Sequence, residues 1–117
     1  PKIHNVDVIS MVKNKNHSYL NFLKVINGSI IQAHTVEVKT KLEETDQEIL
    51  SYALMDFRNR FDSQAKEVIT PFDPDINIPD VTITIPKRGD KKHLLENQII
   101  IFAPIYNTDS NKDKFYG

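Results

Sequence analysis

The chain is organised around the stretch Val81-Thr82-Ile83-Thr84-Ile85-Pro86-Lys87-Arg88-Gly89-Asp90-Lys91-Lys92-His93-Leu94-Leu95-Glu96. Its first five residues alternate apolar side chains with threonine, which is the period-two pattern of a strand with one face on a core. The proline that follows ends the strand because it has no N–H to donate. The stretch therefore predicts a strand over residues 81–85, then a turn, then a helix.

The turn after this strand is strongly basic. It carries four cations, Lys87, Arg88, Lys91 and Lys92, and Gly89 allows a backbone turn that side chains disfavour. Backbone N–H groups and cationic side chains in such a turn can bind a phosphate. Runs of charge are more often solvated surface, so the alternative is an exposed connection that binds nothing.

Composition limits the classes of protein that the chain can belong to. Its 117 residues suit one domain, and 39% hydrophobic with 26% charged residues is a globular composition. A net charge of −1 means that any anion site must be a local patch, and the absence of cysteine excludes disulfides and thiol nucleophiles. The longest apolar run, residues 99–103, is too short to span a bilayer, so a cytoplasmic protein without membrane contact is expected. Because the chain begins at Pro1 without methionine, we expect it to be a piece of a longer protein.

The first third of the chain predicts a three-stranded antiparallel meander. Strands are expected over residues 5–12, 18–26 and 30–38, and Asn27-Gly28 favours a tight hairpin between the last two. The second and third runs are nearly continuous in apolar residues. Both strands are therefore expected to be covered on both faces.

A helix is predicted over residues 45–62. Thr45 and Glu48 have the spacing of a capping box, in which each side chain satisfies a backbone donor at the helix start. The apolar residues that follow fall on one face at helical spacing and favour core packing over ligand binding: Ile49, Leu50, Ala53, Leu54, Phe57 and Phe61.

The remaining elements complete a fold of the α/β class, with α+β as the alternative. A fourth strand over residues 66–70 leads through a loop with three prolines, residues 71–80, to the fifth strand. The order is strand, strand, strand, helix, strand, strand, helix. It predicts a mixed sheet of about five strands with one main packing helix, similar to a shortened, degenerate ribonuclease H-like sheet.

Three segments together resemble a known family. They are Tyr19-Leu20-Asn21-Phe22-Leu23-Lys24-Val25-Ile26-Asn27-Gly28-Ser29-Ile30-Ile31, the capped helix, and the stretch from Ile85 to Glu96, in which Pro-Lys-Arg-Gly-Asp-Lys-Lys after a strand is most specific. The chain resembles UvrC, the incision subunit of the bacterial UvrABC excinuclease, between its UvrB-binding motif and its C-terminal nuclease domain. Residues 1–96 are accordingly expected to form a single UvrC-like central domain.

The resemblance implies a part in nucleotide excision repair, in which UvrC binds the complex of UvrB with damaged DNA and cuts on both sides of the lesion. The chain has no GIY-YIG pair, no nuclease motif of the Asp-Ile-Ser type and no glycine-rich helix-hairpin-helix. The resemblance therefore implies an accessory, non-catalytic domain that positions the nuclease domains and contacts DNA phosphate or UvrB. No cofactor or small-molecule ligand is expected. A purely structural spacer is the alternative.

Two segments depart from the family pattern. Many members carry a helix where this chain has the proline-containing loop of residues 71–80, so a regular right-handed crossover is doubtful there. Residues 97–117 do not continue the charged helix of the family and have an extended apolar part followed by a polar part. We expect residues 97–117 to be an atypical tail that is either disordered or not the native continuation, for example a reading-frame artefact, with a natural variant as the alternative.

A metal-dependent nuclease is the remaining alternative. Asp7 on the first strand and Asp73 after the fourth lie where a ribonuclease H-like sheet would place two metal-binding carboxylates. A further acid is needed, but Glu48 serves the helix cap and Asp56 has no visible partner. Asp73 is equally explained as a turn former, and the four histidines lack ligand spacing. No catalytic residue and no metal are therefore expected.

Overall fold

The chain folds as a mixed β-sheet with a helix packed on one face. The described residues of this computed structural model are 5–89, 91–93, 95 and 114–115. The elements of that part are β1 (Val6–Lys13), β2 (His17–Ile26), β3 (Ser29–Lys39), α1 (Asp46–Arg60), β4 (Glu67–Ile69), β5 (Thr82–Thr84) and β6 (Lys114–Phe115). The strand order is β3-β2-β1-β4-β5, and β6 pairs with β1 outside that path. The predicted mixed sheet, of the α+β class with one main packing helix, is confirmed.

The antiparallel meander forms one half of the sheet, as predicted. β1 pairs with β2 and β2 with β3, both antiparallel. The turn between β2 and β3 contains Asn27 at φ 52° and Gly28 at φ 79°, the left-handed values that a tight hairpin requires. β4 and β5 form the other half of the sheet. β4 runs parallel to β1, and β5 runs parallel to β4.

The prediction that both β2 and β3 are covered on both faces is wrong for β3. β2 is buried along most of its length, whereas β3 is an edge strand and is largely exposed. Ile30 and Ile31 are each 54% exposed. An apolar run predicts a strand, but whether that strand lies in the centre or at the edge of the sheet depends on residues far away in the chain.

Helix α1 begins at the predicted capping box. The Thr45 side chain accepts a hydrogen bond from the Glu48 backbone N–H, and the Glu48 carboxylate accepts one from the Thr45 N–H, each at 3.1 Å. The apolar face of α1 packs on β1 and β2, where Phe57 stacks on Phe22 with ring centroids 5.0 Å apart. Leu54 is fully buried there. Burial of a leucine or phenylalanine stabilises the fold by about 1.5–3 kcal/mol, so this face fixes where α1 lies.

The loop between β4 and β5 takes the place of a crossover helix. Parallel strands need a crossover connection, and residues 71–81, all of them described, contain no helix. Phe72, Ile76, Ile78 and Val81 of this segment pack against the same core as α1. The predicted proline-containing loop is confirmed, and its apolar side chains cover the core beside the helix.

The opposite face of the sheet carries a second apolar cluster. It includes Val8, Leu23, Ile69 and the fully buried Leu95. Residues 91–93 and 95 are helical, so the helix predicted after the basic turn is confirmed as far as it is described. Apart from 114–115, the segment 97–117 that was expected to be atypical lies outside the described residues. No helix in the described part is long and apolar enough to cross a membrane.

Candidate functional site

The basic turn lies just beyond the C-terminal end of β5. Gly89 has φ 90°, a conformation that side chains rarely adopt. The Gly89 carbonyl accepts a hydrogen bond of 3.0 Å from His93 N–H, so the helical turn begins here. Lys87 and Arg88 are exposed. The turn therefore presents its first two cations to solvent.

Lys91 differs from the other cations of the turn because it has an acid partner. Its Nζ lies 2.7 Å from Glu67 Oε2 on β4, and Thr84 Oγ1 donates to the same oxygen at 2.6 Å. Burial acts to raise the pKa of Glu67, but the bonds from Lys91 and Thr84 outweigh it and hold that pKa below its ordinary value. Lys91 thus ties the helical turn to the sheet.

The other three cations of the turn are Lys87, Arg88 and Lys92. Within the described ranges no acidic side chain lies in ion-pair distance of any of them. Of the four predicted phosphate-binding residues, Lys91 therefore has an acid partner in the sheet, and the other three have none among the described residues.

Asp7 lies in a different setting, fully buried on the α1 face of β1. Arg58 of α1 donates to its Oδ2 at 2.7 Å, and Ser63 Oγ lies 2.7 Å from both carboxylate oxygens. Arg58 also donates to the Ala65 carbonyl at 3.0 Å. Both oxygens of Asp7 are therefore engaged by the loop and helix that cover them.

Burial is the largest influence on the protonation of Asp7. Burial raises the pKa of Asp7, and the Ser63 hydroxyl and the Arg58 guanidinium oppose that rise without cancelling it. Lys24, which stands opposite Asp7 on β2, donates to the Phe61 carbonyl at 2.7 Å and so caps the C-terminal end of α1. Removing one partner of such a pair would leave an uncompensated buried charge.

Asp73, the second carboxylate of the metal-site alternative, is not brought to Asp7. Asp7 pairs with Val68 of β4, and Asp73 lies beyond the end of that strand. Asp73 is exposed, its side chain accepts from Asp75 N–H at 2.8 Å, and its carbonyl accepts from Gln47 at 2.9 Å. In the part of the chain that the structure describes, no three His, Cys, Asp or Glu side chains are grouped to hold a metal.

A small cleft lies at the end of the sheet next to Asp7. Its volume is about 80 Å³, and it is lined by Asn5, Lys24 and the loop of residues 62–65 among others. Ligand pockets usually have about 300–1,000 Å³. This cleft is therefore too small for a nucleotide.

Sequence reasoning missed the partners of Asp7. Arg58 and Ser63 lie 51 and 56 residues from it in the chain, so no local pattern links them. One signal was available, since an acid inside an apolar strand must be paired when it is buried. Arg58 lies one helical turn after Leu54 of the apolar stripe, so it is the cation of α1 that reaches the sheet.

The sequence of this chain is similar to that of a known protein family. The family model described as "UvrC Ribonuclease H-like domain" matches residues 5–97. UvrABC system protein C of Flavobacterium psychrophilum is 45% identical over 96 residues, which is 82% of this chain and 16% of that protein. The proteins of the same name from Bacteroides fragilis and Porphyromonas gingivalis are 46% identical over 99 residues (84% of this chain) and 39% identical over 95 residues (80%). The chain spans 16% of the length of each of these relatives. No solved structure matches.

Proposed function

This chain belongs to the family of UvrC ribonuclease H-like domains, and on that premise we propose that it is a non-catalytic accessory domain of UvrABC system protein C. It acts in nucleotide excision repair of damaged DNA. Its task is to position the nuclease domains of the parent protein on the complex of DNA with UvrB, and its basic turn contacts DNA phosphate.

The state of Asp7 is the observation that carries the non-catalytic part of the proposal. Two-metal cleavage of a phosphodiester needs carboxylate oxygens that are free to bind the ions. Here Arg58 and Ser63 engage both oxygens at 2.7 Å. A divalent cation at Asp7 would have to displace or face a guanidinium group, which like-charge repulsion opposes.

The three cations of the turn without a described acid partner support the DNA contact. Arg88 is the strongest candidate, because a planar guanidinium can engage two phosphate oxygens whereas a lysine supplies a point charge. Each phosphate contact lowers the slope of log affinity against log salt by about 0.9 on duplex DNA. With at most Lys87, Arg88 and Lys92, binding by this chain is weak, and attachment to the rest of the parent protein raises its effective concentration on DNA.

Binding of a fluorescent 20-base-pair duplex to the 117-residue chain, measured by anisotropy over a salt series, tests the DNA contact. Arg88→Ala should weaken binding and make the salt slope shallower by about 0.9. Lys66→Ala is the matched control, since it removes one exposed cation just before β4, at the opposite end of the parallel strands from the turn. Equal effects of the two substitutions would mean that only net charge matters, and would leave the turn as a solvated connection.

Incubation of the same chain with duplex DNA and Mg²⁺ or Mn²⁺ tests the non-catalytic part. We expect no cleavage. Cleavage that Asp7→Asn abolishes would establish the metal-dependent nuclease instead, whereas cleavage indifferent to that substitution would come from a contaminant.

A further inference from the structure

The free edge of the sheet is formed by β3. This strand stands at the end of the order β3-β2-β1-β4-β5, and in the described residues it pairs with β2 alone. Thr40 N–H donates to the Asn16 carbonyl at 2.8 Å, so residue 40 directs its backbone groups toward β2. This direction alternates along an antiparallel pair. The backbone groups that point outward therefore belong to Ala33, Thr35, Glu37 and Lys39.

Protection of this edge is slight. Natural sheets block free edges with charged residues, proline, bulges or short strands. β3 is 11 residues long, and residues 29–36 contain no Lys, Arg, Asp, Glu, Pro or Gly. Its one irregularity faces Lys24 and Val25 near the hairpin, so residues 32–39 keep a regular register. A ladder of this kind is complementary to one type of partner, another extended strand.

We propose that β3 pairs with β3 of a second copy of this chain, antiparallel, around a twofold axis between the two Thr35 residues. In that register Thr35 lies opposite the partner's Thr35, and Ala33 opposite the partner's Glu37. All of these residues direct their backbone groups outward, so the three pairs exchange about six hydrogen bonds. The two sheets then form one continuous sheet.

Charge supports a second copy as the occupant. In this register no two like charges are opposite each other, because Glu37 meets an alanine. Arg60 and Asp56 form an ion pair of 2.8 Å on α1, and Arg60 lies 3.1 Å from His34 Nε2, so this pair flanks β3. The twofold axis makes the two α1 helices antiparallel. With α1 above β2, the helices are separated by three strand spacings, or about 14 Å, which long side chains from both can span.

The contact involves one strand and one helix flank on each side. It is smaller than the interfaces of obligate dimers, so we expect a reversible dimer with a dissociation constant on the order of 10–100 µM. This inference does not rest on the proposed DNA contact, because β3 and the basic turn lie at opposite edges of the sheet order.

Sedimentation velocity of the 117-residue chain from about 5 to 500 µM tests the proposal. Ala33 is exposed, so its substitution leaves the fold intact. Ala33→Glu places an acid opposite the partner's Glu37 twice in each dimer, and Ala33→Lys places a cation there. We expect the dissociation constant to rise about threefold or more for the first variant and to fall by a similar factor for the second. The double variant Ala33→Glu with Glu37→Lys should restore dimerisation.

A wild-type chain that remains monomeric up to 500 µM would overturn the proposal. So would a dimer that responds equally to Ala33→Glu and Ala33→Lys, since that would place the contact elsewhere. Amide hydrogen exchange gives an independent check. The outward amides of Thr35 and Glu37 should become protected only at concentrations where the dimer forms, whereas Val36, which points toward β2, should be protected throughout.

Discussion

Two regions of this domain carry clusters of charge, and they use it in opposite ways. Around Asp7 the charges are buried and paired, with Arg58 and Ser63 both at 2.7 Å from the carboxylate. In the basic turn, Lys87 and Arg88 are exposed and have no acid partner among the described residues. A buried charge must be paired to be tolerated, whereas an exposed one is left free for a partner. The difference indicates that the first cluster holds the fold and the second is available for binding.

The largest effect should come from breaking the buried pair. Arg58→Leu leaves the fully buried Asp7 without the guanidinium that pairs with it, so we expect the free energy of unfolding to fall by about 3–5 kcal/mol. Urea denaturation measures it. The matched control is Arg88→Leu in the basic turn, which should leave stability unchanged because that side chain is exposed. Similar stabilities of the two variants would contradict the distinction between the regions.

The pH dependence of stability should separate the two acids. Burial raises the pKa of Asp7, so between its unfolded value of about 3.9 and its higher folded value the folded state holds more protons. Stability from this group therefore falls as pH rises through that window, and Asp7→Asn should remove the fall.

Glu67 has a lowered pKa, so it contributes stability above its unfolded value of about 4.3 that is lost as pH falls. Glu67→Gln should remove that loss, and the same change of slope in both variants would be inconsistent with these assignments.

The smallest stability effect should come from Lys91, the cation of the basic turn that pairs with Glu67 of β4. Its ion pair with Glu67 is partly exposed, with 40% of the lysine side chain accessible. Exposed pairs of this kind contribute about 0.2–1 kcal/mol, and screening by salt reduces that further. Lys91→Ala should therefore lower the melting temperature slightly and weaken DNA binding less than Arg88→Ala. If Lys91→Ala weakened DNA binding more than Arg88→Ala, the assignment of the phosphate contact to Arg88 would be wrong.

Local signals explain what the sequence could predict. The capping box of Thr45 and Glu48, the hairpin at Asn27-Gly28 and the stripe of α1 are each set by residues within a few positions of one another, and all are confirmed. The basic turn could be found because it is contiguous. Its use as a phosphate contact stays a prediction.

Features that depend on distant residues could not be predicted in the same way. β3 is exposed because, in the described part of the chain, β2 alone lies beside it, and the apolar run of β3 does not predict this. The Arg58 partner of Asp7 and the Glu67 partner of Lys91 are 51 and 24 residues away. Those two pairings decide which charges are structural, so the sequence could name the charged residues but could not sort them.

Incision of damaged duplex by a hybrid protein tests the central distinction most directly. The hybrid is UvrABC system protein C of Flavobacterium psychrophilum in which residues 5–97 of this chain replace the matching segment, assayed with the other UvrABC components at two salt concentrations. The double variant Asp7→Leu with Arg58→Leu replaces the buried pair by apolar side chains, which such sites often tolerate. We expect it to fold and to retain incision. The triple alanine variant of Lys87, Arg88 and Lys92 should fold, lose most incision and show a shallower dependence on salt. A folded double variant without incision, or a triple variant with incision and salt dependence unchanged, would contradict the account.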